Sequence, residues 1–309
     1  MRKLTLFFTM SILLILAACG SDEAAGNNGE EKEKIAVTTT FLYDMVNVLE
    51  DGVDGFDTEL IIPAGEDPHV YEPTASDLQT LSEADVILYQ GLHFEGRMGD
   101  VLENGVAAAE DFSDSDLEEM EEDGEVEVDP HFWFNIDLYK QAMENVSDTL
   151  IEHNPDGEEQ YTENLNAYFE ELDELDQYVT ERVNEIPEES RIVITPHDAF
   201  GYLAESYDLE VHAPQGFSTD SEVSNNQIQA TADMIVENNI SAIFVETTTN
   251  PDRMTRLQEV VESDGGEVEV VGLDDEALFS DSLAPVGEEG DTYIDMFRHN
   301  IDTISDHLQ

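Results

Sequence analysis

Residues 158–186 read EEQYTENLNAYFEELDELDQYVTERVNEI. Tyr161, Leu165, Tyr168, Phe169, Leu172, Leu175, Val179, Val183 and Ile186 recur at spacings of three and four, with acidic residues filling the other face. That is the pattern of an amphipathic helix. Pro155 precedes the run and Pro187 follows it, at positions where proline punctuates helices. The spacing therefore predicts one long helix over Glu158–Ile186. On its N-terminal side, strand-like runs at Ile35–Thr40, Thr58–Ile62 and Ala84–Gln90 alternate with helical stretches at Phe41–Leu49, Thr74–Ser82 and Gly96–Ala109. On its C-terminal side, strands are expected at Arg191–Thr195, Glu210–His212, Ala242–Glu246 and Glu267–Gly272. Helices are expected there at Ala199–Tyr207, Ser224–Asn238, Asp252–Ser263 and Thr292–His307. Short β-rich runs separated by helices predict βα units and mainly parallel sheets. No Gly/Ser linker joins the two blocks. The fold class is α/β: two (β/α) lobes, 35–157 and 187–309, braced by the helix 158–186. The acidic run Asp111–Asp129 has no apolar period and is expected to be a solvated loop.

The 309 residues hold 74 Asp and Glu against 11 Lys and Arg, a formal charge of −63, with 40% hydrophobic residues. The apolar content suffices for packed cores, and the charge excludes nucleic acid and anionic membrane surfaces as partners. Self-repulsion of this size destabilises a compact state unless salt screens it; the Debye length falls to about 3 Å near 1 M. The acidity is read as adaptation to a salty medium, the alternative being a general attraction for cations. A refolding titration in NaCl distinguishes the two.

At the N-terminus, Arg2 and Lys3 precede an apolar run, Leu4–Leu16, that is short for a membrane span. Leu16-Ala17-Ala18-Cys19 follows, small residues ahead of the single cysteine, as in a bacterial lipobox. Residues 1–18 are thus expected to be a lipoprotein signal peptide and Cys19 the lipidated residue. With that thiol acylated, no disulfide and no Cys metal ligand is expected. Residues 19–34, polar and of low complexity, read as a flexible tether. The expected location is extracytoplasmic, anchored by lipid to the outer face of the membrane.

Asp67-Pro68-His69 and Asp129-Pro130-His131 repeat one tripeptide, and Thr195-Pro196-His197-Asp198 sets a third histidine behind a proline. Proline restricts the backbone before each imidazole. His69 and His197 each follow the end of an expected strand, where parallel α/β sheets bind ligands. A lone histidine is more often a packing or surface residue, but three in one Pro-His setting, among eight histidines in the chain, point to a metal site. Neutral imidazole with carboxylate suits zinc or manganese. His93, His153, His212 and His299 lack that setting and are read as surface or packing residues. Glu246, ending a strand, and Asp198, beside His197, are candidates to accept the other ring N–H of a ligand histidine.

These segments resemble a known family. GEDPHVYEP (65–73), SEADVILYQGLHFEG (82–96), DPHFWFN (129–135), VITPHDAFGYL (193–203), IFVETTTNP (243–251) and LFSDSL (278–283) are similar in content and order to the zinc- and manganese-type, TroA-like (cluster A-I) solute-binding lipoproteins of ABC importers, from about Ile35 to the C-terminus. The resemblance implies two lobes on a rigid helix with the metal in the cleft between them. It also implies ligands at His69, His131, His197 and Asp281, two from each lobe. Asp281, one of 74 acidic residues, is singled out by the resemblance alone. The implied cargo is one Zn2+ or Mn2+ per chain, and the implied partner an ABC transporter permease. A monomer touching the membrane only through its lipid is expected. Members with three histidines are zinc-type or mixed zinc/manganese, and many zinc-type members carry a His-rich loop between the first two ligands. Here Asp111–Asp129 is acidic and holds no histidine, which fits the mixed group. The alternatives are a secreted zinc hydrolase, which would keep an open metal position and a general base, and a metal-binding surface adhesin. No His-Glu-x-x-His helix or nucleophile motif supports the first, so no enzymatic activity is expected.

Overall fold

The computed structural model describes residues 32–122, 125–274 and 276–309. The leader, Cys19 and the tether as far as Glu31 lie outside the described residues. The N-terminal half runs β1 (Glu33–Val37), α1 (Thr40–Leu49), β2 (Phe56–Leu60), α2 (Ala75–Glu83), β3 (Val86–Tyr89), α3 (Gly99–Leu102) and β4 (Val106–Ala107). These strands form one parallel sheet in the order β2-β1-β3-β4. Side-chain caps start the helices that matter here: Thr39 accepts from Leu42 N–H at the head of α1, and Thr74 and Asp77 close a capping box on α2.

After the sheet come an antiparallel hairpin, β5 (Glu119–Glu122) with β6 (Glu125–Val128), then α4 (Ile136–His153) and α5 (Glu158–Val183). The C-terminal half follows as β7 (Ile192–Ile194), α6 (Gly201–Tyr207), β8 (Glu210–His212), α7 (Asn225–Asn238), β9 (Ala242–Phe244), α8 (Asp252–Ser263), β10 (Glu269–Val271) and α9 (Tyr293–Leu308). Here β7 pairs with β8 and β9 with β10, both in parallel.

Helix α5 buries Tyr161, Tyr168, Leu172, Leu175, Val179 and Val183, and burying each such apolar side chain contributes about 1.5–3 kcal/mol. Its start is tied to the first half: Tyr161 donates to Glu50 at 2.5 Å and Asn164 to the Leu49 carbonyl at 2.7 Å. Its end is tied to the last helix: Tyr178 donates to Asp302 at 2.5 Å, and Arg182 pairs with Asp302 and Asp306 at 2.7 and 2.5 Å. One helix thus braces both halves. The main core is continuous across them, running from Phe41 and Phe94 through Trp133 and Phe134 to Phe200 and Phe297.

Two expectations fail. Of Gly96–Ala109 only Gly99–Leu102 is helical, and the stretch ends in β4. Gly105 comes so close to β3 that a Cβ there would meet the Ile87 carbonyl oxygen at 3.1 Å, a strand-side approach rather than a helical one. The acidic run is not a plain loop: it contains a 3-10 turn, Asp114–Asp116, and the β5–β6 hairpin. The alternation Glu125-Val126-Glu127-Val128 is the period-two signal that its charge conceals. The long helix ends at Val183, three residues before Ile186, with Ile186 still buried in the turn that leads to Pro187.

Candidate metal centre

The two Asp-Pro-His segments fold alike. Proline offers no N–H, so the aspartate side chain closes the turn onto the next one. Asp67 Oδ1 accepts from His69 N–H at 3.0 Å, and Asp129 Oδ1 from His131 N–H at 2.9 Å. His69 lies in the loop beyond β2, and His131 stands at the head of the 3-10 turn Phe132–Phe134. His197 lies past β7, where its backbone bridges to Gln215. Asp281 sits in the loop between β10 and α9, held by Ser280, whose carbonyl accepts from Trp133 Nε1 at 2.9 Å. Gly65, in the left-handed region at φ 82°, donates its N–H to Ser282 Oγ at 2.9 Å and ties the His69 loop to the Asp281 loop.

The four side chains meet. One ligand atom from each of His69, His131, His197 and Asp281 lies within 4.8 Å of all the others, and all four residues are buried. His69 Nε2 stands 3.3 Å from His131 Nε2, and Asp281 Oδ1 and Oδ2 stand 3.3 Å from His131 Nε2 and His197 Nε2 respectively. A tetrahedral ion with bonds of about 2.0–2.1 Å has ligand–ligand edges of about 3.3–3.4 Å, the separation of the His69 and His131 Nε2 atoms and of His197 Nε2 from Asp281 Oδ2. The His69–Asp281 distance, 3.9 Å, is longer. His197 Nε2 and Asp281 Oδ1 are buried without a hydrogen-bond partner, which suits atoms aimed at a cation.

Behind two imidazoles stand buried carboxylates. Asp129 Oδ1 is 2.6 Å from His131 Nδ1, and Glu246 Oε2 is 2.5 Å from His197 Nδ1. Each turns its imidazole so that Nε2 faces the centre. Glu246 also accepts from Ser280 Oγ at 3.2 Å and from His197 N–H at 3.4 Å. Of the two residues suggested for this role, Glu246 fills it. Among the described residues no hydrogen bond or ion pair joins Asp198 to the His197 ring, which Glu246 holds instead, and burial beside Asp129 pushes the Asp198 carboxyl up to about 6. Asp129, two residues before His131 in the repeated tripeptide, is a third such carboxylate that the sequence reading does not single out. Trp133 lies edge-on to His131 at 5.3 Å, an apolar neighbour from the same segment, whereas Thr248, 3.4 Å from Asp281 Oδ2, carries no sequence signal because its partner lies 33 residues away.

The carboxylates and imidazoles of the cluster shift one another's proton affinity. Burial opposes charge on His131, but Asp129 and Asp281 outweigh it and lift its pKa to about 9. His197 is raised likewise, Glu246 and Asp281 overcoming burial. Burial holds His69 down at about 3 despite Asp281. Burial alone would raise Asp281, but His197 and its neighbours keep it well below the ordinary carboxylate range. The carboxylates of Asp281, Asp129 and Glu246 converge on these imidazoles, surroundings that favour a cation. The other histidines lie elsewhere: His153 pairs with Glu33, His212 with Glu210 and His307 with Glu276, and His299 meets the Ala277 carbonyl.

The chain matches the family described as zinc-uptake complex component A, periplasmic (ZnuA), over residues 35–307. It belongs to that family. It is 35% identical to the zinc-binding protein TroA of Treponema pallidum over 93% of this chain and 91% of that one. It is 34% identical to the manganese-binding lipoprotein MntA of Bacillus subtilis over 95% of each. A solved TroA structure concerned with metal-binding specificity is 51% identical, with a TM-score of 0.88, over 90% of this chain and 100% of that one. The solved zinc-binding TroA of T. pallidum superposes with a TM-score of 0.85 at 34% identity, over 90% and 99%.

Proposed function

We propose that this chain is the extracytoplasmic substrate-binding protein of a metal ABC importer. It captures one Zn2+ or Mn2+ on His69, His131, His197 and Asp281 and delivers it to a membrane permease. The observation that carries this reading is the buried quartet with a carboxylate behind two of its three imidazoles. Zinc- and manganese-binding relatives support the same choice of cargo. A nitrogen-rich shell binds zinc more tightly than manganese, so the metal carried in the cell follows availability.

Burial also separates this site from a hydrolase. Its ligands are 0–3% exposed, leaving no open face for a large substrate, and four protein ligands complete a tetrahedral shell. We therefore assign it no catalytic role. The lobes are assigned to 35–157 and 187–309, with 158–186 as the brace. Among the described residues no helix is long and apolar enough to cross a membrane. Anchorage is assigned to lipid on Cys19, which would hold a monomeric carrier near its permease at high effective concentration. Calorimetric titration of metal-stripped protein in high salt, with His197→Ala as control, tests the function. One tight equivalent of zinc or manganese, lost in the variant, is expected. No stoichiometric uptake of either metal would overturn the carrier reading.

A further inference from the structure

The three imidazoles are not held alike. His131 and His197 are gripped at Nδ1 by Asp129 and Glu246. Among the described residues no ion pair joins His69 Nδ1 to a carboxylate; the one ion pair recorded for His69 is through Nε2, to Asp281. His69 is placed instead through its backbone, by the turn that Asp67 Oδ1 closes. The other oxygen of Asp67 is taken from across the cleft: Thr219 Oγ1 donates to Asp67 Oδ2 at 2.6 Å.

Thr219 is itself firmly set. Gln215 Nε2 donates to the Thr219 and Ser221 carbonyls at 3.0 and 2.6 Å, and Gln215 Oε1 accepts from Arg253 at 2.5 Å. The backbone of Gln215 bridges to His197, so the loop that carries Thr219 is continuous with a ligand of the second lobe. Its next residue, Asp220, pairs at 2.5 Å with Arg97 of the first lobe, which also holds Glu72 at 2.9 Å.

We propose that Thr219 is a positioning residue that latches the lobes: through Asp67 it fixes His69, the least supported ligand, and so sets how fast the metal leaves. The inference rests on the metal-carrier reading above. Opening the cleft breaks the Thr219–Asp67 bond, frees the Asp67 turn and releases His69 first, while His131 and His197 stay gripped by their carboxylates. A partner that draws the 214–221 loop away from Asp67 and Arg97 would thereby promote unloading.

The test is stopped-flow release of zinc from the full folded chain into excess chromophoric chelator, with association measured separately. Thr219→Val is expected to raise the release rate about tenfold, as befits loss of a hydrogen bond to a carboxylate, and to leave association within about twofold. Thr219→Ser, which keeps the hydroxyl, is expected to release at the wild-type rate. Should Thr219→Val fold poorly, Arg97→Gln asks the same question from the surface. It is expected to speed release about two- to fivefold in dilute buffer, as for an exposed ion pair, and not at all near 1 M NaCl, where the pair is already screened. Release unchanged in Thr219→Val, Thr219→Ser as fast as Thr219→Val, or no effect of Arg97→Gln in dilute buffer overturns the latch. A wild-type chain that retains no zinc overturns the carrier reading instead.

Discussion

Glu246→Gln removes one charge beside the proposed site and touches no ligand atom. In the wild type both carboxylate oxygens accept: Oε2 from His197 Nδ1–H at 2.5 Å and Ser280 Oγ at 3.2 Å, Oε1 from His197 N–H at 3.4 Å. A glutamine has one carbonyl oxygen for these donors. If that oxygen faces the imidazole, its NH2 confronts the His197 backbone N–H; if it faces the backbone, the NH2 confronts Nδ1–H and disfavours the ligating tautomer. Either way His197 loses the negative charge that makes its Nε2 a better donor. Losing such a supporting carboxylate costs about 10- to 100-fold in metal affinity, which is about 1.4–2.7 kcal/mol. Competition for zinc against a chelator of known affinity, at pH 7.5 in high salt, measures the ratio, with circular dichroism to show that the fold is kept. A variant that binds zinc within twofold of wild type would refute the idea that Glu246 tunes the site.

Affinity should also depend on pH. The metal-free cluster holds protons on His131, up to about pH 9, and on His197; the loaded cluster does not, so affinity rises with pH. Calorimetry should show a gain of about one to two decades per pH unit below that value, and a flat profile between pH 5.5 and 7.5 would contradict an imidazole shell. The same shifts stabilise the metal-free fold below the unfolded histidine pKa of about 6.5, and that stability is lost as pH rises through about 9. Asp44, lifted by burial from 3.8 to about 7, acts in the same direction at lower pH, its contribution being lost as pH rises to about 7. Melting midpoints of the metal-free protein should therefore fall between pH 6.5 and 9, and a rising midpoint would reverse the assignment. With a charge of −63, the midpoint should climb steadily from dilute buffer to molar NaCl; an unchanged midpoint would count against salt adaptation. Leu175→Ala, at a site with 0% exposure in the bracing helix, should cost about 2–5 kcal/mol in denaturant unfolding, and less than 1 kcal/mol would show that the helix is not part of the core.

Much of this architecture is legible in the chain because local signals and the fold agree. Tyr161 to Val183 keep their spacing and all face inward, and Asp252–Ser263 is helical over the residues its pattern names. The failures are places where short-range pattern was a poor guide. Gly99–Leu102 is a single helical turn between glycines, and β4 is two residues whose place is set by pairing with β3 rather than by their own propensity. The hairpin was hidden because its strands are mostly glutamate. In the candidate metal centre, His69, His131 and His197 stand out through the proline before each of them. Asp281 is anonymous among the acids, since what marks it is contact with Thr248 and with the His131 and His197 imidazoles, all distant along the sequence. Asp129 could have been read from the turn, because an aspartate two residues before a histidine, across a proline, has that backbone N–H as its natural donor. Thr219 carried no such signal: its partner lies 152 residues away.

Whether His69, His131, His197 and Asp281 share one ion is read from anomalous diffraction at the zinc edge, on crystals of zinc-loaded protein. One strong peak is expected, about 2.0–2.2 Å from Nε2 of His69, His131 and His197 and from an Asp281 oxygen. A peak elsewhere, or an ion that any of these four side chains fails to touch, would contradict it.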